Sequence, residues 1–139
     1  MYVVVIGLGE VGRHVVRTLE WEKHDVVAVD ADAGAIEYIE EHHDVMTLQG
    51  YGASQRVLRE AEVERADLVV AVTDHDEVNL IAALGARRLG ADRAIARVQG
   101  NEWSGSDGSD GPHGVQYDLL GVDVVFNPRV VLAQEVAKI

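Results

Sequence analysis

The sequence predicts an α/β domain, doubly wound around a six-stranded parallel sheet. Short Val-rich runs, apolar at consecutive positions as in strands covered on both faces, alternate with amphipathic stretches throughout the chain. The first run, Tyr2-Val3-Val4-Val5-Ile6, feeds directly into Gly7-Leu8-Gly9-Glu10-Val11-Gly12-Arg13, a G-x-G-x-x-G turn that opens a helical pattern. The second run, Val26-Val27-Ala28-Val29, ends on Asp30, eighteen positions after Gly12. Alternating units of this kind give a Rossmann-type sheet with strand order 3-2-1-4-5-6.

Taken in order, strands are expected at about 2–6, 26–30, 44–48, 67–72, 93–98 and 123–126 from their runs of consecutive apolar residues. Helices are expected at about 11–22, 33–42, 54–61, 77–89, 115–120 and 129–138 from their amphipathic spacing. Asp74, with Glu77 three residues on, has the spacing of a capping box for the fourth helix. Asn127-Pro128 has the form of an N-cap followed by proline in the first turn of the last helix. Residues 99–114 hold five glycines and three serines in sixteen positions, a composition that predicts a flexible surface loop.

At 139 residues the chain is expected to form a single domain. It carries no cysteine, which removes disulfide, thiolate-zinc and nucleophilic-thiol chemistry together. No uninterrupted apolar run is long enough to span a bilayer. Residue 2 already belongs to a strand, so no signal peptide is expected, and the default location is cytoplasmic. Net charge is −12, from 24 acidic and 12 basic residues, and only Lys23 and Lys138 among the bases are lysines. Such a surface repels nucleic acid and anionic membranes. Its acidic, lysine-poor balance looks like that of proteins adapted to high salt, where screening tames self-repulsion; an ordinary acidic cytosolic protein is the alternative.

The glycine turn is the leading candidate site. Gly7 permits the tight turn, Gly9 lets the backbone approach a pyrophosphate, and Gly12 lets the helix pack close to the strand. Amides at the helix start face the phosphates with the positive end of the helix dipole behind them. Asp30 is placed to accept hydrogen bonds from the adenosine ribose, and its charge repels a 2′-phosphate. NAD or NADH is therefore expected ahead of NADP, with ATP, ADP and AMP sharing the same adenosine half. Two acidic or histidine groupings, Asp74/Asp76/Glu77 and His42-His43-Asp44, read as a helix start and a solvated helix end. Neighbours on a helix point in different directions, so no metal site is expected.

Further motifs follow in a fixed order: Gln49-Gly50-Tyr51-Gly52-Ala53, then Ala66-Asp67-Leu68-Val69-Val70-Ala71-Val72-Thr73-Asp74-His75-Asp76-Glu77-Val78-Asn79, then Ile95-Ala96-Arg97-Val98. In this combination the chain resembles the TrkA N-terminal domain family, nucleotide-binding regulators of potassium conductance in bacterial and archaeal uptake systems and channels. The resemblance covers nearly the whole chain apart from the Gly/Ser loop. It implies nucleotide contacts at Gly7, Leu8, Gly9, Glu10, Val11, Gly12 and Arg13, and at Asp30, Ala31 and Asp32. It further implies contacts at Gly50, Gly52, Ala53, Val72, Thr73 and Arg97. Arg13 and Arg97 are the natural candidates for neutralising phosphate charge.

The resemblance also implies a regulatory role without catalysis, exerted on a membrane potassium transporter or channel subunit from the inner face of the membrane. The last helix is apolar on more than one face and needs burial on most sides. The resemblance, in which this segment commonly packs against a neighbouring subunit, implies a homodimer or higher homo-oligomer through it. In the family a smaller ligand-sensing domain often follows, and residues 1–139 contain none. The alternative is the cofactor-binding half of an NAD-dependent oxidoreductase. It requires a proton-transfer residue beside the nicotinamide, and the chain has no Tyr-x-x-x-Lys, which leaves His75 as the histidine near the sheet's carboxyl edge.

Overall fold

The computed structural model describes residues 1–99, 122 and 124–126. Its strands are β1 (Tyr2–Ile6), β2 (Asp25–Asp30), β3 (Met46–Gln49), β4 (Leu68–Ala71), β5 (Ala94–Arg97) and β6 (Val124–Phe126). The helices are α1 (Glu10–Trp21), α2 (Ala33–His42), α3 (Gln55–Glu60) and α4 (Asp76–Leu89), with a 3-10 turn at Val63–Arg65. All strand pairings are parallel and the order is β3-β2-β1-β4-β5-β6, as the alternation of units predicts.

Strand alternation divides the core into two layers. Val3 and Val5 of β1 face Val16 of α1 and Ile36 and Ile39 of α2. Val4 and Ile6 face the opposite layer, with Val57 and Leu58 of α3 and Ala82, Ala83 and Ala86 of α4. Those alanines bring α4 close to the sheet, because a methyl group holds two backbones nearer than any larger side chain. Both faces of the central strands are therefore buried, which is why their sequence shows no polar alternation.

Several boundaries differ from expectation. β3 begins at Met46 rather than about 44. Glu20 of α1 explains the delay: its Oε2 accepts from the Asp44 N–H at 3.1 Å and contacts His43 Nδ1 at 3.2 Å, holding this stretch off the sheet. β4 and β5 are each two residues shorter than expected, spanning Leu68–Ala71 and Ala94–Arg97. α4 begins at Asp76 with His75 at its N-cap position, and the cap has no side-chain hydrogen bond. Asp74 does not cap that helix, because Thr73 closes the turn instead, its Oγ1 accepting from the His75 N–H at 3.2 Å. The loop expected at 99–114 (beyond Gln99), the helices expected at 115–120 and 129–138, and Asn127-Pro128 lie outside the described residues.

Candidate functional site

Sheet order places the ends of β1 and β4 side by side, with the helices that follow them on opposite faces. A crevice opens at that reversal, outside the carboxyl ends of the strands. It forms a cleft of about 490 Å³ lined by the glycine turn, the loops after β2 and β3, and the start of α4. This volume suits a nucleotide-sized ligand.

Each glycine of the turn answers to a distinct constraint. Gly7 has φ +99°, a conformation that L side chains rarely adopt, and a Cβ there would lie 2.7 Å from the Thr73 nitrogen. At Gly12 a Cβ would collide with the Gly7 carbonyl oxygen, so α1 packs tightly onto the turn. Gly9 differs: a Cβ there would meet no atom within 4 Å. Its side of the backbone faces open space at the start of α1, where the first amides have no partner within the helix. Close packing accounts for Gly7 and Gly12, whereas at Gly9 the exposed backbone is suited to the approach of an anion.

Asp30 braces this turn from β2. Its Oδ2 accepts from the Leu8 N–H at 2.7 Å and its Oδ1 from the Asp32 N–H at 2.8 Å. Asp30 therefore does not cap α2; Asp32 does, accepting from the Ala35 N–H at 2.9 Å. A carboxylate has about four acceptor positions. Two backbone bonds thus leave Asp30 able to accept from ribose hydroxyls while it holds the phosphate loop in shape. This second duty gives no signal in the sequence.

On the far side of the cleft, Thr73 follows β4 and Arg97 ends β5. The Arg97 side chain is 13% exposed, and its guanidinium lies 3.7 Å from an Asp74 carboxylate oxygen that is open to solvent. The loop after β3 is held close by two glycines: a Cβ at Gly50 would crowd Val57 at 2.7 Å, and one at Gly52 would strike Ile6.

Of the residues singled out in the sequence, the structure gathers Gly7, Leu8, Gly9, Glu10, Val11, Asp30, Ala31, Asp32, Gly50, Gly52, Val72, Thr73 and Arg97 around one cleft. Gly12 is buried behind the turn, and Ala53 lies outside the lining. Arg13 also lies outside it. Its Nε donates to the Leu8 carbonyl at 3.1 Å and its guanidinium packs 3.8 Å above the Tyr38 ring, turned toward a shallower cavity beside α1. Ile6, Tyr51, Asp74, His75 and Val78 complete the cleft. The sequence did not single out Ile6 at the end of β1, Tyr51 in the loop after β3 or Val78 in α4 for it, because tertiary placement alone decides which of these residues border the cleft.

The side chains of the lining are acidic on balance: Glu10, Asp30, Asp32 and Asp74 against Arg97 and His75. Any anion entering the cleft would have to be held by backbone amides, the α1 dipole and Arg97. Among the described residues, no group of three or more His, Cys, Asp or Glu is placed to hold a metal ion. Within the same residues, no helix is long and apolar enough to cross a membrane.

Comparison with known proteins identifies the family and agrees with the fold. The family model of the TrkA-N domain matches residues 3–128. The chain is 41% identical over 139 residues to a Trk system potassium uptake protein TrkA homolog from Archaeoglobus fulgidus, covering all of this chain and 30% of that protein. It therefore spans less than a third of the length of this curated relative. Among solved structures, the TrkA-N domain of the Escherichia coli inner membrane protein ybaL superposes with a TM-score of 0.79 at 16% identity, covering 99% of this chain and 94% of that one. The GsuK channel bound to NAD superposes with a TM-score of 0.71 at 24% identity, covering 89% of this chain and 21% of that one. GsuK has also been solved bound to ADP.

Proposed function

This chain belongs to the TrkA-N domain family, and on that premise we propose that it is a regulatory module whose cleft binds NAD(H) or an adenine nucleotide and whose ligand state biases a membrane potassium transporter or channel. The observation that carries the reading is the shared cleft of the open Gly9 backbone, the α1 amino end and Asp30. That set holds a pyrophosphate beside a ribose. The curated relative is a potassium uptake protein, and the GsuK channel, of like fold, has been solved bound to NAD and to ADP. Both bear on the ligand and on the partner.

A ligand shifts a conformational equilibrium only by its difference in affinity for the two states. Regulation therefore requires that a nucleotide bind the two states unequally, and distinct responses to two nucleotides require that their preferences between the states differ. Assembly as a homodimer through the apolar residues of 129–138 gives the cleft a conformation to bias, with the transporter on the inner face of the membrane as the recipient. The rival oxidoreductase reading places His75 in the cleft, where it needs a substrate beside the nicotinamide to act on.

Calorimetric titration of the chain in concentrated KCl with NAD, NADH, ATP, ADP and NADPH tests the proposal. Binding of NAD or NADH, exclusion of NADPH and no turnover of added 2-hydroxy acids or aldehydes is the expected result. If none of the five binds a preparation free of co-purified nucleotide, the glycine turn is only a turn. Hydride transfer to an added substrate favours the oxidoreductase instead.

A further inference from the structure

We infer that Asn79 is a positioning residue that sets the half of the cleft beyond the glycine turn, and so governs how the chain reads the part of a dinucleotide that a mononucleotide lacks. The inference rests on the nucleotide reading above. Asn79 lies in α4, behind the cleft and outside its lining. It is 0% exposed, the buried polar side chain among the described residues.

All of its hydrogen-bonding capacity is engaged. Asn79 Oδ1 accepts from the Thr73 N–H at 2.8 Å and from the Thr73 hydroxyl at 2.7 Å. Its Nδ2 donates to the Thr73 carbonyl at 3.0 Å and to the Arg97 carbonyl at 2.9 Å. A side-chain amide offers two donors and two acceptor positions, and here each meets a partner. One side chain thus ties the end of β4, the end of β5 and α4 into a unit. Both residues that it grips from behind line the cleft in front.

Strand order decides which part of a ligand this unit meets. β2, carrying Asp30, lies on one side of β1 and its glycine turn; β4 and β5, leading to Thr73 and carrying Arg97, lie on the other. With the pyrophosphate at the turn and the adenosine ribose at Asp30, anything beyond the second phosphate falls across Thr73 and Arg97. ADP ends at the turn, whereas NAD crosses it. A displaced Thr73 also has little room to move toward the turn, since its nitrogen lies 2.7 Å from where a Cβ on Gly7 would stand.

The test compares the two ligands. Asn79→Asp keeps size but sets a carboxylate oxygen against the Thr73 and Arg97 carbonyls, acceptor against acceptor. The dissociation constant for NAD is expected to rise about tenfold while that for ADP stays within about twofold, the change corresponding to a lost buried hydrogen bond. A residue that served stability alone would lower the melting temperature and shift both ligands alike. Equal loss of NAD and ADP, or no loss of either, overturns the inference. Asn79→Ser, which withdraws the amide without adding charge, carries the same comparison if the aspartate variant does not fold; saturating ADP then supports the fold by mass action and NAD is read by displacement. Failure of the unaltered chain to bind NAD and ADP overturns the nucleotide reading itself, an outcome distinct from altered selectivity in the variants.

Discussion

Asp30 combines two tasks that a single carboxylate can serve together. Its two oxygens hold the Leu8 and Asp32 amides, and in the proposed function its charge meets the ribose of an adenosine. Asn at this position has one acceptor oxygen and one donor nitrogen, so one of the two amides would face another donor. Asp30→Asn is therefore expected to destabilise the fold by about 0.5–1.5 kcal/mol, the net worth of one hydrogen bond, since the Leu8 bond is part-buried and the Asp32 bond exposed. It is also expected to weaken the exclusion of NADPH, since the repelling charge is gone. Urea unfolding checks the first effect and calorimetry the second; unchanged stability would show that the brace is dispensable. That an acid should end β2 is legible in the sequence, through its spacing from the glycine turn. Its grip on Leu8 is not, because a bond between residues 22 positions apart depends on how β1 and β2 align.

At the scale of elements, caps and boundaries follow local chemistry unless a distant group intervenes. Asp32 and Ser54 accept from the Ala35 and Val57 amides and start α2 and α3 as short polar side chains do. Asp32→Ala is expected to cost about 1 kcal/mol, as loss of an N-cap does, and denaturant unfolding measures it. An unchanged unfolding midpoint would show that water satisfies the Ala35 amide equally well. Elsewhere the local signal misleads. Asp74 has the spacing of a capping residue, yet Thr73 and the buried Asn79 close that turn, leaving Asp74 exposed near Arg97. β3 starts late because Glu20, on another helix, holds His43 and Asp44. Both departures have one cause: a partner remote in sequence competes with the nearest backbone group.

For the whole molecule the charge balance is the governing quantity. A net charge of −12 on 139 residues makes compactness costly through self-repulsion, and screening reduces that cost. Raising KCl shortens the screening length from about 10 Å at 0.1 M to about 3 Å at 1 M. The melting temperature is therefore expected to climb across this range, followed by circular dichroism. A melting temperature indifferent to salt would mean that local pairing already offsets the repulsion and that the acidic surface is not an adaptation to salt. The same acidity gives the arginine that lines the cleft its weight: with four carboxylates around the cleft, the proposed phosphate binding rests on Arg97 and the α1 amides.

The sequence by itself determined the parallel sheet, its strand order, the glycine turn and most of the residues that surround the cleft. It did so because strand burial, helix period and the turn's steric demands are written in neighbouring positions. The tertiary structure alone decided that Arg13 turns away to Tyr38, that Tyr51 and Val78 enter the cleft, and that Asn79 joins two strand ends to a helix. Those outcomes depend on which surfaces meet once the sheet is assembled, and no short-range pattern encodes the distance between groups that only folding brings together.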